Sequence, residues 1–250
     1  MILLLDIGNT RFKWAWYSAS GLRDPGAVVH RGREPTRVFA DWLGEAERPE
    51  RVVAVCVAGA EVRAALDARL AARGWPAAEY LRPQACAAGV RNGYREPGRL
   101  GIDRWAAIVA AYHQGGGPVC VIGCGTAVTL DLVEADGTHR GGLIVPGRAL
   151  MQAALVGGTA GVVCQPVEPP AEGILGQSTD EAVAAGTETA LAGFLRYALA
   201  ELRERYGAAL RVVVTGGDAT RLLSHLPGHA VHAPLLVLEG AALLAEKGVR

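Results

Sequence analysis

The chain has 250 residues, enough for one large domain or two of ordinary size. Half of them are hydrophobic, and 25 Lys and Arg balance 25 Asp and Glu. Zero formal charge argues against a protein that coats nucleic acid electrostatically. No run of about 18 apolar residues is present, so no transmembrane helix and no membrane partner is expected. Met1 leads straight into an apolar stretch that Asp6 interrupts, so no signal peptide is expected either. The cysteines, Cys56, Cys86, Cys120, Cys124 and Cys164, show no Cys-x-x-Cys spacing. They read as small buried hydrophobes of a reduced, cytoplasmic protein.

The first elements set the pattern. Ile2 to Leu5 is an apolar run that reads as a buried strand, with Asp6 at its end. Gly8-Asn9-Thr10 is a turn-forming triplet. Arg11 to Tyr17 alternates, with Phe12, Trp14 and Trp16 on one face and Lys13 and Ala15 on the other, as a strand does. Gly8 permits close approach to the backbone, Asn9 and Thr10 offer donors, and loop amides can form an anion-binding nest. Lys13 adds positive charge. An ionised Asp6 repels a bare phosphate but holds one through a divalent metal, so the combination suggests a Mg²⁺-nucleotide. The alternative is an ordinary hairpin with a polar turn.

Further along, Ser18 to Pro25 reads as a polar loop and Ala27 to His30 as a third strand. A helix is expected over 35–47, a buried strand over 51–59, a helix over 61–74 stopped by Gly74, and a short strand over 79–82. The loop from Gly89 to Trp105 carries several arginines, Tyr94 and Asp103, and leads into a helix over 105–113. Asp103 near that helix N-terminus is either a cap or a general base, with Arg104 as an anion binder.

After the break at Gly115-Gly116-Gly117-Pro118 the opening pattern returns. A buried strand over 119–122 runs into Gly123-Cys124-Gly125-Thr126-Ala127. Strands over 128–133 and 139–145 follow, the last ending at Pro146-Gly147. The repeat is architectural and implies two similar halves, 1–115 and 116–250, facing each other across a cleft with a phosphate loop on each. A helix over 148–156 and a proline-bearing loop over 157–176 come next. Ser178 and Glu181 form a capping-box pattern opening a long helix to about Tyr206. In that helix Gly186 and Gly193 lie seven apart on one face, which would permit close packing against another helix. A strand over 211–215, a loop at Gly216-Gly217-Asp218, a helix over 219–226, an edge segment over 229–232 and a helix over 235–247 complete the chain. His229 and His232 have no obvious third ligand and read as solvated or hydrogen-bonded side chains.

These motifs, in register over nearly the whole chain, resemble those of type III pantothenate kinases, members of the actin/sugar-kinase/Hsp70-like superfamily. Asp6 to Thr10 resembles the family's first phosphate motif, and the span Asp6, Ile7, Gly8, Asn9, Thr10, Arg11, Phe12 and Lys13 its ATP-binding segment. Tyr94 with Gly101, Ile102, Asp103 and Arg104 resembles the pantothenate-binding segment. By that resemblance Asp103 accepts the proton of the pantothenate hydroxyl. Gly125-Thr126-Ala127 with Asp131 resembles the second phosphate motif, with Thr126 at the ATP position. Thr215 to Asp218 resembles the adenosine-side motif. Thr179 falls where the family places a threonine that reaches pantothenate across a dimer interface. The resemblance implies an α/β fold of two duplicated ribonuclease-H-like halves, a homodimer, Mg²⁺-ATP with Asp6 as metal ligand directly or through water, and transfer of the γ-phosphate to pantothenate as the first step of coenzyme A synthesis. One departure stands out. Family members often carry an aspartate two residues before the glycine of Gly-Thr-Ala, as a ligand for K⁺ or NH₄⁺. Gly123 stands there instead, so activation by a monovalent cation is expected to be weak or absent. Two other readings compete: a dimeric, transcription-accessory type of binding protein with this fold and no kinase activity, or a kinase with a different small acceptor.

Overall fold

The computed structural model describes residues 1–42, 47–159, 165, 167–170 and 173–246. The expectations for the end of the helix over 35–47, for Cys164 and for Lys247 fall wholly or partly outside these residues. The chain forms two compact units. One comprises Met1–Gly117, Val133–Gly141 and the segment from Leu235 onward, the other Pro118–Leu132 and Gly142–Pro234.

The first unit is built on a five-stranded sheet. Its strands are β1 (Ile2–Ile7), β2 (Arg11–Ser18), β3 (Gly21–Val29), β4 (Arg51–Cys56) and β5 (Ala78–Tyr80), in the order β3-β2-β1-β4-β5. β1 pairs antiparallel with β2 and parallel with β4, so the hairpin and the crossover strands meet at β1. The period of two in β1 decides its two faces. Leu3, Leu5 and Ile7 join Phe12, Val52 and Ala54 in a core covered by Phe39 of α1 (Pro35–Trp42) and Leu66 and Leu70 of α2 (Ala60–Ala72). Trp14 and Trp42 extend it, with Phe12 and Trp42 edge to face at 4.4 Å. Leu4 and Asp6 point to the other face, where α3 (Ile102–Gly115) and α7 (Leu236–Glu246) pack on the sheet and on each other. Gly240 makes the helix contact possible: a Cβ there would lie 2.0 Å from the Ala106 carbonyl oxygen.

Two expectations need correction here. Ser18 to Pro25 is not a loop, because strand β3 already begins at Gly21. Asp24-Pro25-Gly26 carries turn-forming residues, but β3 is an edge strand, where a proline without an amide proton is tolerated. Gly26 is needed because a Cβ would lie 2.2 Å from the Trp14 ring. The 89–105 segment also holds more structure than expected. A small hairpin of β6 (Cys86–Ala87) and β7 (Val90–Arg91) precedes Tyr94, and α3 starts at Ile102 rather than Trp105.

In the second unit the strands β8 (Val119–Cys124), β9 (Ala127–Val133), β10 (His139–Pro146), β11 (Arg211–Thr215) and β12 (Val231–His232) lie in the order β10-β9-β8-β11-β12. This repeats the strand order of the first sheet. α4 (Arg148–Gly158) follows β10, and α5 (Thr179–Tyr206) is the long helix; α6 (Ala219–Leu222) is a single turn. Cys120, Ile122, Val128, Leu130, Val212 and Val214 form the core face against Leu191, Leu195 and Leu199 of α5. The expected cap is present in a shifted form: Ser178 Oγ accepts from the Glu181 amide at 3.2 Å, while the Glu181 carboxylate accepts from the Gln177 amide at 2.7 Å, one residue before the N-cap. A Cβ at Gly186 or Gly193 would meet nothing within 4 Å, so among the described residues no helix packs closely against them. Cys86 is exposed, against the expectation of burial, whereas Cys56, Cys120 and Cys124 are buried free thiols. Among the described residues no helix is long and apolar enough to cross a membrane.

Candidate active site

Asp6 leaves the core pattern of β1 on the face where α3 begins. Lys13 is its cross-strand partner on β2. The Asp6 carboxyl is pushed up to about 6: burial raises it most, the Lys13 ammonium pulls it down, and Asp103 adds a smaller upward push. The three charged groups expected to do the chemistry of this unit are therefore within electrostatic reach of one another.

Asp103 sits in the first turn of α3, one residue inside it. The N-cap position is Gly101, which has no side chain to cap with, so Asp103 is not the cap. Its carboxylate accepts a hydrogen bond from the Arg104 amide at 2.8 Å and gains from the positive end of the helix. Gly101 clears the space: a Cβ there would lie 2.7 Å from the Asp103 carboxylate. Arg104 reaches back, donating to the Tyr94 hydroxyl at 2.8 Å with its guanidinium 5.6 Å from the ring centroid. Tyr94 also stacks on His139, with ring centroids 6.0 Å apart and planes 17° apart. His139 has no exposed surface.

That layer is fixed by the turn between β9 and β10, which belongs to the first unit. Arg91 donates its amide to the Gly137 carbonyl at 2.9 Å and its guanidinium to the Thr138 hydroxyl at 3.0 Å. Gly93 and Gly137 allow the approach, since a Cβ would lie 1.8 Å from the His139 carbonyl oxygen in one case and 2.1 Å from that of Gly89 in the other. The segment bearing Tyr94 is thus clamped against the turn between β9 and β10. His139 was missed in the sequence because its partner lies 45 positions earlier and nothing local links them.

The first loop closes with the Gly8 amide donating to the Arg11 carbonyl at 3.0 Å. Asn9 and Arg11 are exposed, and Thr10 is half-buried. Ile7 and Phe12 have fully buried side chains in the core, so what they can offer a nucleotide is backbone. In the second unit Gly125-Thr126 is a two-residue turn, with the Gly125 amide bonded to the Ala127 carbonyl at 3.0 Å. Gly147 and Gly216 back it closely: a Cβ would lie 2.3 Å from the Gly125 carbonyl oxygen and 2.1 Å from that of Cys124, respectively. Asp131 is buried in β9, where its charge adds to the burial that raises the Cys120 thiol. The Cys124 thiol is pushed up to about 12 by burial and then by Asp218, so neither cysteine is a nucleophile. Gly123 brings no carboxylate, and a Cβ there would lie 2.7 Å from the Thr129 hydroxyl. Thr215, its partner on β11, has a buried hydroxyl with no hydrogen-bond partner among the described residues. Thr179 is the first residue of α5. His229 lies against Arg203, with 2.9 Å between the guanidinium and Nε2.

Comparison with known proteins converges. A family profile described as type III pantothenate kinase matches residues 2–201. A type III pantothenate kinase of Nitrosococcus oceani is 38% identical over 98% of this chain and 94% of its own length. One from Alkalilimnicola ehrlichii is 40% identical over 98% of each. Among solved structures, a Campylobacter jejuni protein assigned to the Baf family of transcriptional activators aligns over 98% of both chains, with a TM-score of 0.60 and 20% identity. That last likeness concerns the fold alone.

Proposed function

The chain belongs to the type III pantothenate kinase family, and from that premise we propose which of its residues carry the ATP γ-phosphoryl group to the hydroxyl of pantothenate. The observation that carries the assignment is the electrostatic grouping of Asp6, Lys13 and Asp103 at the junction of β1 and α3. Phosphoryl transfer asks a protein for positioning and charge neutralisation. Asp6, Gly8, Asn9, Thr10 and Lys13 hold the nucleotide, with Ile7, Arg11 and Phe12 contributing backbone. Thr126 is a further nucleotide contact. Asp103 aligns the attacking hydroxyl and accepts its proton. Arg104 and Tyr94, fixed on His139, bind the carboxylate or amide oxygens of pantothenate, with Gly101 and Ile102 shaping the helix start.

A desolvated carboxylate with its titration near 6 suits a hard divalent cation, and Mg²⁺ held by Asp6, directly or through water, neutralises charge on the triphosphate when bound. The second loop does not fit a monovalent cation in the same way. Gly123 supplies no charge, its neighbours Thr129 and Thr215 offer neutral hydroxyls, and the carboxylate felt at this loop is that of Asp218, which acts on the Cys124 thiol. We therefore expect weak or absent activation by K⁺ or NH₄⁺.

Duplication of one half-chain, over 1–115 and 116–250, accounts for the shared strand order of the two sheets. A homodimer accounts for an exposed apolar surface on the second unit. Leu143, Ile144, Leu155 and Val156 are exposed on β10 and α4, and Tyr197 is 69% exposed on the same helix as the open Gly186 and Gly193. In that dimer Thr179 reaches pantothenate across the interface. The compartment proposed is the cytoplasm, where pantothenate and ATP meet.

The test is incubation of the purified protein with MgATP and pantothenate, following 4'-phosphopantothenate by mass. Stoichiometric, ATP-dependent product supports the reading. Phosphorylation of another small alcohol with pantothenate untouched refutes it and favours a kinase of different acceptor.

A further inference from the structure

An amide can face a phosphate only if its own peptide carbonyl is accommodated on the opposite side, because N–H and C=O of a trans peptide point in opposite directions. In the first loop the Asn9 amide shares its peptide with the Gly8 carbonyl. That carbonyl accepts a hydrogen bond from the His30 ring, Nε2 to oxygen 2.8 Å, with the ring nitrogen necessarily the donor. The Thr10 carbonyl is held from the same place, by the His30 amide at 2.9 Å and the Arg31 amide at 3.3 Å. The Gly8 amide is already spent on closing the turn.

His30 is the residue immediately after β3 and is 8% exposed. A buried polar ring is costly unless bonded, and the bond to the Gly8 carbonyl offsets that cost here. The second half shows the contrast. The residue immediately after β10 is Gly147, whose amide donates to the Thr126 carbonyl at 2.9 Å, just as the His30 amide does to Thr10. No side chain can be present at Gly147, given the 2.3 Å that would separate a Cβ from the Gly125 carbonyl oxygen. The same topological position thus holds its loop by backbone alone in one half, and by backbone plus an imidazole in the other.

We propose that His30 is a positioning residue for nucleotide binding: its ring N–H holds the Gly8 carbonyl so that the Asn9 amide is aimed at the phosphates of the bound nucleotide. This rests on the reading of residues 6–13 as the nucleotide loop. The test compares the full-length parent with His30→Phe, which keeps a planar aromatic ring and removes the donor, and His30→Gln, which restores one. MgATP is titrated calorimetrically, the KM for each substrate is measured, and the ¹⁵N–¹H resonance of Asn9 is followed during the titration. His30→Phe is expected to weaken MgATP binding about tenfold, roughly the 1.4 kcal/mol of one net hydrogen bond. The KM for pantothenate should stay within about twofold, and His30→Gln should recover most of the affinity. Unchanged MgATP affinity in His30→Phe, equal loss in His30→Gln, or an equal shift in both KM values would overturn the proposal. An Asn9 resonance that ignores MgATP in the parent would instead overturn the loop reading beneath it. If His30→Phe does not fold, His30→Met against His30→Gln makes the same comparison.

Discussion

Asp6 is the fifth residue of β1, and Gly123 is the fifth residue of β8. Both strands lie at the centre of a five-stranded sheet with the same order, and both run into a glycine-bearing turn. Across the hairpin the first carboxylate meets Lys13, whereas the glycine has the Thr129 hydroxyl nearby. Behind the turn one half has His30 and the other Gly147. The same frame has thus been given a carboxylate on its central strand and an imidazole brace in the first loop, whereas the second has neither at the matched positions, its acidic group Asp218 coming from the loop after β11. The lesson is that a shared strand order sets where a loop sits, while single residues at matched positions decide what it can bind.

Removing the charge from the first loop should have the largest effect. Asp6→Asn is expected to lower kcat by about 10²–10³-fold with MgATP. The same change should stabilise the fold at pH 7.5. The folded carboxyl titrates near 6, above its ordinary 3.8, so the native state holds that proton more tightly than the unfolded chain. Its favourable contribution is complete below about pH 4 and is lost as pH rises through 6. The substitution should therefore gain on the order of 1–3 kcal/mol at pH 7.5 and progressively less toward pH 4, as measured by urea unfolding. A variant that is less stable at every pH would show that the carboxylate is not held against a desolvation cost.

Adding bulk to the second loop comes next. Gly147→Ala places a methyl against the Gly125 carbonyl and should cost about 2–3 kcal/mol, read from the unfolding midpoint. A variant of parent stability would mean that the tight backing of this turn is not required. Thr126→Ala should raise the KM for ATP about tenfold with kcat nearly unchanged, as the loss of one hydrogen bond made in ground and transition state alike. Equal losses in kcat would assign Thr126 to the reaction itself. The smallest effect concerns the missing carboxylate. Replacing K⁺ with a large organic cation should change the parent rate by less than about twofold, and Gly123→Asp, once the Thr129 hydroxyl turns aside, should make the rate respond to K⁺. A many-fold loss in the parent would show that another group supplies the cation site.

Local patterns carried much of this architecture. The alternation from Phe12 to Trp16, the apolar runs of β1, β4 and β8, the Gly74 stop and the Ser178–Glu181 box all depend on neighbours in the chain and were legible there. β3 was read short because Asp24-Pro25-Gly26 signals a turn locally, while the edge position that tolerates it is set by the sheet. The start of α3 leaves no local mark in the sequence, because the N-cap Gly101 has no side chain to cap with. Asp6, Lys13 and Asp103 could be named from their motifs. The braces His30 and His139 could not, since each acts on a residue more than twenty positions away. One signal was available for His30: it closes the third strand expected in the first half, as Pro146-Gly147 closes that of the second.

The central claim is that Asp103, at the start of α3 beside Asp6, takes the proton from the attacking alcohol. Its most direct test is Asp103→Asn, with pantothenate phosphorylation and calorimetric MgATP binding measured on the same preparation. The account predicts a fall in kcat of at least about 10²-fold with MgATP affinity within about threefold of the parent. A variant that phosphorylates pantothenate at the parent rate would contradict it.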